Sequence, residues 1–451
     1  MKYTADYEGR QVLVLGLAKS GFAAAKLLHR LGAQVIVNEY KQLASDDQLK
    51  ITLEEMGITV IDGGHPETIL TGIELIVKNP GIPYSNSVLV QAKERNIPIV
   101  VETDIAAQVS EAPMIAITGT NGKTTTTTLL HAILTADGQK PLFAGNIGEV
   151  VSEVVLEATR ENVLVTELSS FQLMASPHLH PQISLLLNFD EAHLDYHTDL
   201  EEYHGAKAKI FQNQTEADYC VYNADDHRIV AAMADCQATQ IGFSQHQPTN
   251  GAYVANGWIY YREEAIIGLE KVVLPGKHNV ENMLAAITVA KLSQVKTAAI
   301  IEVLQTFSGV KHRLQFVKKK NGHYFYNDSK ATNIQAAKTA LASFQRPIVW
   351  LAGGLDRGVD FTELRPYCEH VAAIVTFGET ANKFVDLAQA LQVSVAKAGT
   401  MSEAVAIADA FASDEAIVLL SPACASWDQY ASFEVRGDAF LTAIEQLPEG
   451  E

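Results

Sequence analysis

The sequence predicts an α/β chain of three domains, each built on an open, mostly parallel sheet. Three observations carry this. Short apolar runs end in glycine- or asparagine-bearing turns that lead into helical patterns, as in Val12–Gly16, Ile115–Gly122 and Ile348–Gly358. The 451 residues exceed what one core organises, so two to four domains are expected. At 47% hydrophobic and 19% charged, the composition is that of a globular protein. The boundaries fall at residues 1–109, 110–309 and 310–451.

Composition also excludes classes of function. A formal net charge of −19 argues against an extended nucleic-acid or anionic-membrane surface, so local lysines, arginines and backbone amides must hold any anionic ligand. No apolar run reaches membrane-spanning length, and Met1–Asp6 lacks the apolar stretch of a secretion signal. Cys220, Cys236, Cys368 and Cys424 are far apart and form no Cys-x-x-Cys, which predicts neither a disulfide framework nor a zinc site and suits a reducing cytosol.

In the first domain, Gln11–Gly16 reads as a strand entering a turn, Phe22–Leu31 as a helix and Val35–Val37 as a second strand. This is a Rossmann-like βαβ unit with a phosphate-binding turn. Ala18 replaces the middle glycine of the dinucleotide fingerprint, so both a nicotinamide cofactor and a nucleotide-sugar diphosphate fit. Asn38-Glu39 stands where a ribose- or base-reading residue belongs.

The second domain opens on Met114–Thr125, the stretch with the sharpest chemistry. An apolar strand breaks into Gly119-Thr120-Asn121-Gly122, and Lys123-Thr124-Thr125 begins a helix. Such a turn aims backbone N–H groups and a helix N-terminus at phosphate, Lys123 neutralises the outer phosphates, and a threonine hydroxyl reaches Mg²⁺. Ile117 occupies the place of the first Walker glycine, so this P-loop is incomplete. Gly145-Asn146-Ile147-Gly148 is a tight loop able to face a ligand. Glu167 ends an apolar strand, where a magnesium-binding carboxylate is expected in a nucleotide-binding sheet. His193 lies in a cluster of metal-capable side chains just past the strand Ile183–Asn188. Lys207 and Lys209 follow on a helix, where simple solvation is the plainer reading. Thr249–Leu274 reads as β-hairpins with an Asn256-Gly257 turn, and Gly276–Asn282 reads as the cap of a helix Met283–Leu292. Asn279 and Asn282 there either bond an adenine edge or merely cap.

The third domain opens with His312-Arg313 and a hairpin Leu314–Tyr326. Asn327-Asp328-Ser329-Lys330-Ala331-Thr332-Asn333 then packs a carboxylate, a cation, hydroxyls and amides into one strand-to-helix turn, more chemistry than an N-cap needs. Ile348–Gly358, Ala373–Gly378 and Ala416–Pro422 each read as a strand running into a glycine or polar loop, which makes a second Rossmann-like sheet with its ligand face at the strand C-termini.

Taken together these stretches resemble the Mur ligases, the ATP-dependent amide-bond-forming family of peptidoglycan synthesis, over essentially the whole chain. The Gly119–Thr124 loop is similar to that family's P-loop. Asp328–Asn333 and Ser421-Pro422-Ala423-Cys424-Ala425-Ser426-Trp427-Asp428-Gln429-Tyr430 resemble the branch that adds D-glutamate to UDP-N-acetylmuramoyl-L-alanine. The resemblance implies ATP bound by Gly119 to Thr125 with Asn279, Asn282, Arg313, Asp328 and Lys330. It implies two Mg²⁺ ions held by Thr124, Glu167, His193 and a carbamylated Lys207, with Lys123, Glu167, His193 and Lys207 as the catalytic set. Lys19, Ser20 and Asn38 are implied for the UDP part and Asn146 for the muramoyl side. Thr332, Arg357, Ser426 and the backbone of Phe433 are implied for D-glutamate. Two departures matter: Arg357 stands where some members have lysine, and Asn38 where an aspartate reads the uracil. The expectation is a monomeric cytoplasmic enzyme with small-molecule substrates and neither nucleic-acid nor membrane partners. The rivals are another Mur-type or folate-type ligase, a nucleotide-sugar-binding regulator without catalysis, and a Rossmann oxidoreductase.

Overall fold

The structure, a computed structural model, describes residues 5–191 and 197–448. These pack as two compact units, one of Met1–Glu270 with Glu281–Val303 and the other of Lys271–Val280 with Leu304–Glu451. Three open α/β sheets are divided between them, two in the first unit and one in the second.

The first sheet holds β1 (Gln11–Leu15), β2 (Gln34–Glu39), β3 (Thr59–Asp62), β4 (Leu75–Lys78) and β5 (Ile99–Val100), all parallel, in the order β3-β2-β1-β4-β5. Alternation along β1 feeds two cores. Val12 and Val14 pack with Leu27 and Leu28 on one face, and Leu13 and Leu15 with Ile76 and Leu89 on the other. A strand covered on both faces must be apolar throughout, which explains the unbroken Val-Leu-Val-Leu run. The helix after β1 starts at Lys19, three residues before the predicted Phe22, because Gly21 carries no side chain. A Cβ there would collide with the Gly16 carbonyl oxygen, so glycine lets the helix close onto the turn.

The second sheet contains β6 (Met114–Thr118), β7 (Lys140–Gly145), β8 (Asn162–Glu167), β9 (Ile183–Leu186), β10 (Tyr219–Asn223) and β11 (Thr239–Phe243). All are parallel, in the order β11-β10-β9-β6-β8-β7. The chain leaves β6 for β7 and β8 on one side, then crosses to β9 on the other. Such a reversal opens a crevice at the strand C-termini. A small antiparallel sheet follows, of β12 (Ala252–Ala255), β13 (Trp258–Tyr261) and β14 (Glu264–Gly268). The predicted Asn256-Gly257 turn joins β12 to β13, with φ of 50° and 76°.

One helix differs from expectation. It runs Lys277–Leu292, six residues longer at its start than the predicted Met283–Leu292. Asn279 and Asn282 therefore lie within it, one turn apart, rather than capping it. The Asn279 amide bonds back to the Pro275 carbonyl at 2.6 Å.

The third sheet has β15 (Gln315–Lys320), β16 (His323–Asn327), β17 (Ile348–Gly353), β18 (Val371–Phe377), β19 (Ser394–Lys397) and β20 (Ile417–Leu420), in the order β15-β16-β20-β17-β18-β19. Only β15 runs antiparallel to its neighbour. Trp350 is wholly buried in this core and its indole donates to the Ser421 carbonyl at 2.7 Å. Among the described residues no helix is long and apolar enough to cross a membrane. The four cysteines are buried and form no disulfide.

Candidate active site

The crevice beside β6 brings Gly119–Thr125, Glu167 and Lys207 together. The helix Lys123–Ala136 starts from Gly122, whose φ of 79° is left-handed. Its side-chain position is filled by the Asn282 amide oxygen, so any larger residue would collide. No side chain caps this helix, which leaves its first N–H groups for a ligand. Asn188, just past β9, holds the loop in shape. Its carbonyl accepts from Thr120 N at 3.1 Å and its side chain from Asn121 N at 2.8 Å. Asn282 is buried and accepts from the Thr126 hydroxyl at 3.2 Å.

Two lysines meet on one oxygen here. Lys123 Nζ donates to Gly119 O and Thr120 O, both at 2.9 Å, and Lys207 Nζ donates to the same Gly119 O at 2.8 Å. Lys207 is 1% exposed, with Tyr203 beneath its ammonium. Burial first, and repulsion from Lys123 second, bring it down to about 6 against the pull of Glu167. Its amine is therefore largely neutral at pH 7. Glu167 ends β8 opposite Ile117 of β6 and is 1% exposed. The Asn146 amide donates to its Oε1 at 2.8 Å, while the buried Oε2 has no hydrogen-bond partner among the described residues. A buried carboxylate oxygen without a donor is costly unless a cation completes it, so the donor set fits magnesium. Thr124 lies half-buried on the adjoining first helical turn. His193 lies outside the described residues. Among those described, no three His, Cys, Asp or Glu side chains converge on a metal position.

In the first sheet, Lys19 is ion-paired with Glu149 at 2.7 Å, and the Ser20 hydroxyl donates to Asn79 Oδ1 at 2.9 Å. Asn38 is fully buried and already engaged. Its amide donates to the Ile61 and Gly64 carbonyls, and its oxygen meets His65 Nδ1. Glu39 accepts from Leu17 N at 2.8 Å and so closes the phosphate-type turn.

The second unit carries its own group. Asp328 accepts from Leu314 N at 3.1 Å and from the Ser421 hydroxyl at 2.8 Å. Burial lifts its carboxyl to about 7, against those two hydrogen bonds and nearby Arg313. A pocket of about 350 Å³ is lined by Thr332, Asn333, Arg357 and Cys424, among others. The Arg357 guanidinium stands 5.0 Å from the Trp427 ring centre. Ser426 is buried next to pocket-lining Ala425. Phe433 begins the helix Phe433–Gln446; its carbonyl accepts from Ser329, and Lys330 lies 5.4 Å from its ring centre. Thus Thr332 and Arg357 share one pocket, and Asn279 belongs to this unit while Asn282 belongs to the first.

Comparison with known proteins identifies the family. Residues 10–101 match the profile described as Mur ligase MurD-like, N-terminal domain. Residues 117–290 match the Mur ligase middle domain, and 312–424 the Mur ligase, glutamate ligase domain. A UDP-N-acetylmuramoylalanine--D-glutamate ligase of Geobacillus sp. (strain WCH70) is 50% identical over 451 residues, covering 99% of this chain and 100% of that protein. The chain belongs to the Mur ligase family. The protein of the same description from Bacillus mycoides (strain KBAB4) is 51% identical to this Mur ligase over 450 residues, 99% of this chain and 100% of its own. Two solved structures share the fold. UDP-N-acetylmuramate-alanine ligase MurC of Thermotoga maritima has a TM-score of 0.57 at 18% identity, over 96% of this chain and 99% of its own. MurF of Acinetobacter baumannii has a TM-score of 0.57 at 16% identity, over 99% and 93%.

Two buried charges of this Mur ligase escaped sequence reasoning. Arg436 is fully buried on the last helix, where it donates to Ser329 Oγ at 3.1 Å and to the Ser329 and Cys424 carbonyls at 2.8 and 3.0 Å. It ties the polar turn after β16 to the pocket wall after β20. Glu102, just past β5, is 3% exposed. An arginine inside an amphipathic helix and a glutamate at a helix start both read as solvated, so nothing local marks either.

Proposed function

We infer that this Mur ligase is an ATP-dependent enzyme of peptidoglycan precursor synthesis, which joins D-glutamate to UDP-N-acetylmuramoyl-L-alanine. Likeness at about half identity along the whole chain, to proteins bearing that activity in their names, carries the reading. ATP and two magnesium ions are the implied cofactors, and the cytoplasm is the implied location.

The substrate's alanyl carboxylate attacks the γ-phosphorus of ATP, the bond to the β–γ bridging oxygen breaks, and ADP leaves an acyl phosphate. The D-glutamate amine then attacks the acyl carbon, the C–O bond to phosphate breaks, and inorganic phosphate departs with the amide formed. Activation is required because a bare carboxylate does not react with amines. Positioned cations carry most of the rate gain in such transfers.

In this reading Gly119 to Thr125 hold the phosphates through backbone N–H groups and Lys123 faces the γ-phosphoryl. Magnesium, when bound, supplies positive charge against the phosphate oxygens, and Thr124, Glu167, His193 and a carbamylated Lys207 are assigned to it. Glu167 Oε2, which has no hydrogen-bond partner among the described residues, supports its assignment. The neutral, buried amine of Lys207 supports carbamylation. It attacks the carbon of CO₂, an N–C bond forms, a C=O electron pair moves to oxygen, and the nitrogen loses one proton. That turns the second lysine on the Gly119 carbonyl into an anionic ligand. Asn279, Asn282, Arg313, Asp328 and Lys330 are assigned to ATP. Thr332, Arg357, Ser426 and the Phe433 backbone are assigned to D-glutamate. Lys19 and Ser20 take the UDP part and Asn146 the muramoyl side. Asn38, already bonded within the fold, shapes the end of β2 for the uridine.

The deciding experiment is phosphate release from Mg²⁺ and ATP with UDP-N-acetylmuramoyl-L-alanine, plus D-glutamate, L-glutamate or neither. Release that requires D-glutamate is the expected outcome. Release driven by another amino acid moves the enzyme to a sister activity, and no release under any condition overturns the catalytic reading.

A further inference from the structure

Glu102 has no part in the mechanism above, yet it is a fully enclosed carboxylate at the start of the helix Glu102–Val109. Its Oε2 accepts from Ser152 N at 2.9 Å and from Ser152 Oγ at 2.6 Å. Its Oε1 accepts from Thr103 Oγ1 at 2.8 Å. These hydrogen-bond donors are neutral, and burial pushes the carboxyl up from its ordinary value against them. Keeping such a group inside costs stability unless it organises something.

What it organises lies on both sides of Glu167. Along one arm, Ser152 lies in the short helix Val151–Val154 that follows the loop after β7. That loop is cinched by Gly145 N on Glu149 O at 3.0 Å. It also carries Asn146, whose N–H donates to Glu167 O and whose amide donates to Glu167 Oε1, both at 2.8 Å. Along the other arm, Thr103 Oγ1 receives Gln172 Nε2 at 3.3 Å. Gln172 Oε1 in turn accepts from Ser169 N and Ser169 Oγ, both at 2.9 Å, two residues past Glu167. Both loops flanking the metal-type carboxylate are thus tethered to one buried acid.

We propose that Glu102 is a positioning residue that, through Ser152 and through Thr103 with Gln172, fixes the Asn146 loop and the turn after Glu167, and so aims the free Glu167 oxygen at a divalent cation. This rests on the reading of Glu167 as a metal-binding carboxylate. Glu102→Gln keeps the size of the side chain. It replaces one acceptor by an NH₂ group, which loses the Ser152 N–H bond in one orientation and reverses the Thr103 hydroxyl's bond in the other, so one arm is lost or rearranged in either orientation.

The test uses the full chain with ADP and Mn²⁺, reading free Mn²⁺ by electron paramagnetic resonance, beside ADP affinity without metal and the thermal midpoint. Wild type binds Mn²⁺ in the presence of ADP. Glu167→Gln abolishes that binding; if it does not, the reading of Glu167 falls, whatever Glu102 does. Glu102→Gln is expected to weaken Mn²⁺ binding about tenfold with metal-free ADP affinity unchanged. Ser152→Ala moves it the same way by less, and serves if Glu102→Gln does not fold. Unchanged Mn²⁺ affinity in a folded Glu102→Gln, or in Ser152→Ala when that variant stands in, overturns the proposal. A merely structural Glu102 would lower the thermal midpoint and leave the metal affinity of the folded fraction intact.

Discussion

Glu167 is held by Asn146 on one oxygen and, among the described residues, by no hydrogen bond on the other, so a buried carboxylate is only half satisfied. Glu167→Gln removes that charge and keeps the shape. Its kcat is expected to fall by about 10²-fold or more, while stability without ligands stays within about 1 kcal/mol of wild type or rises. Turnover with a chemical melt measures both, and a large loss of stability would argue that the carboxylate serves the fold. Asp328 makes a pH prediction. Its carboxyl sits at about 7 in the fold against an ordinary 3.8, so between those values the folded chain holds a proton that the unfolded chain has released. The contribution of this group to stability therefore falls as pH rises from about 4 to about 7, by no more than about 1.4 kcal/mol per unit, and is flat above. Asp328→Asn removes this slope, so its thermal midpoint should change less than that of wild type between pH 5 and pH 8 (about three units across the titration).

At the scale of elements, the strand-to-helix turn after β6 shows how local sequence dictates geometry. Gly122 is left-handed and pressed against Asn282, so Gly122→Ala is expected to cost about 1–3 kcal/mol and to weaken ADP binding at least tenfold. Calorimetric titration with ADP checks it. Turns of this kind, and the apolar runs that feed them, were legible because their signals lie within a few neighbouring residues. The hairpin at Asn256-Gly257 and the strand ending at Glu167 were legible for the same reason. The helix Lys277–Leu292 was misjudged at its start, because its asparagines carry capping chemistry and find other partners in the fold. Glu102 and Arg436 were invisible because burial is set from afar. Glu102 meets Ser152 across 50 residues of sequence, and Arg436 meets Ser329 across 107.

At the scale of the molecule, the assigned ligands are divided between two packed units. A ligand that binds only folded protein raises stability by RT ln(1 + [L]/Kd), about 2.7 kcal/mol at a hundredfold excess over Kd. Scanning calorimetry is expected to resolve two transitions. UDP should raise the one belonging to Met1–Glu270, and D-glutamate the one belonging to Leu304–Glu451. A D-glutamate shift confined to the UDP-sensitive transition would overturn the assignment of Thr332 and Arg357. The two-unit division has a practical side as well. The chain leaves the first unit after Glu270, re-enters it at Glu281 in mid-helix, and leaves again after Val303. A single backbone cut therefore cannot separate the two units cleanly. Any nick near residue 280 splits one helix between two fragments, and a genetic truncation that keeps either unit whole carries a piece of the other with it.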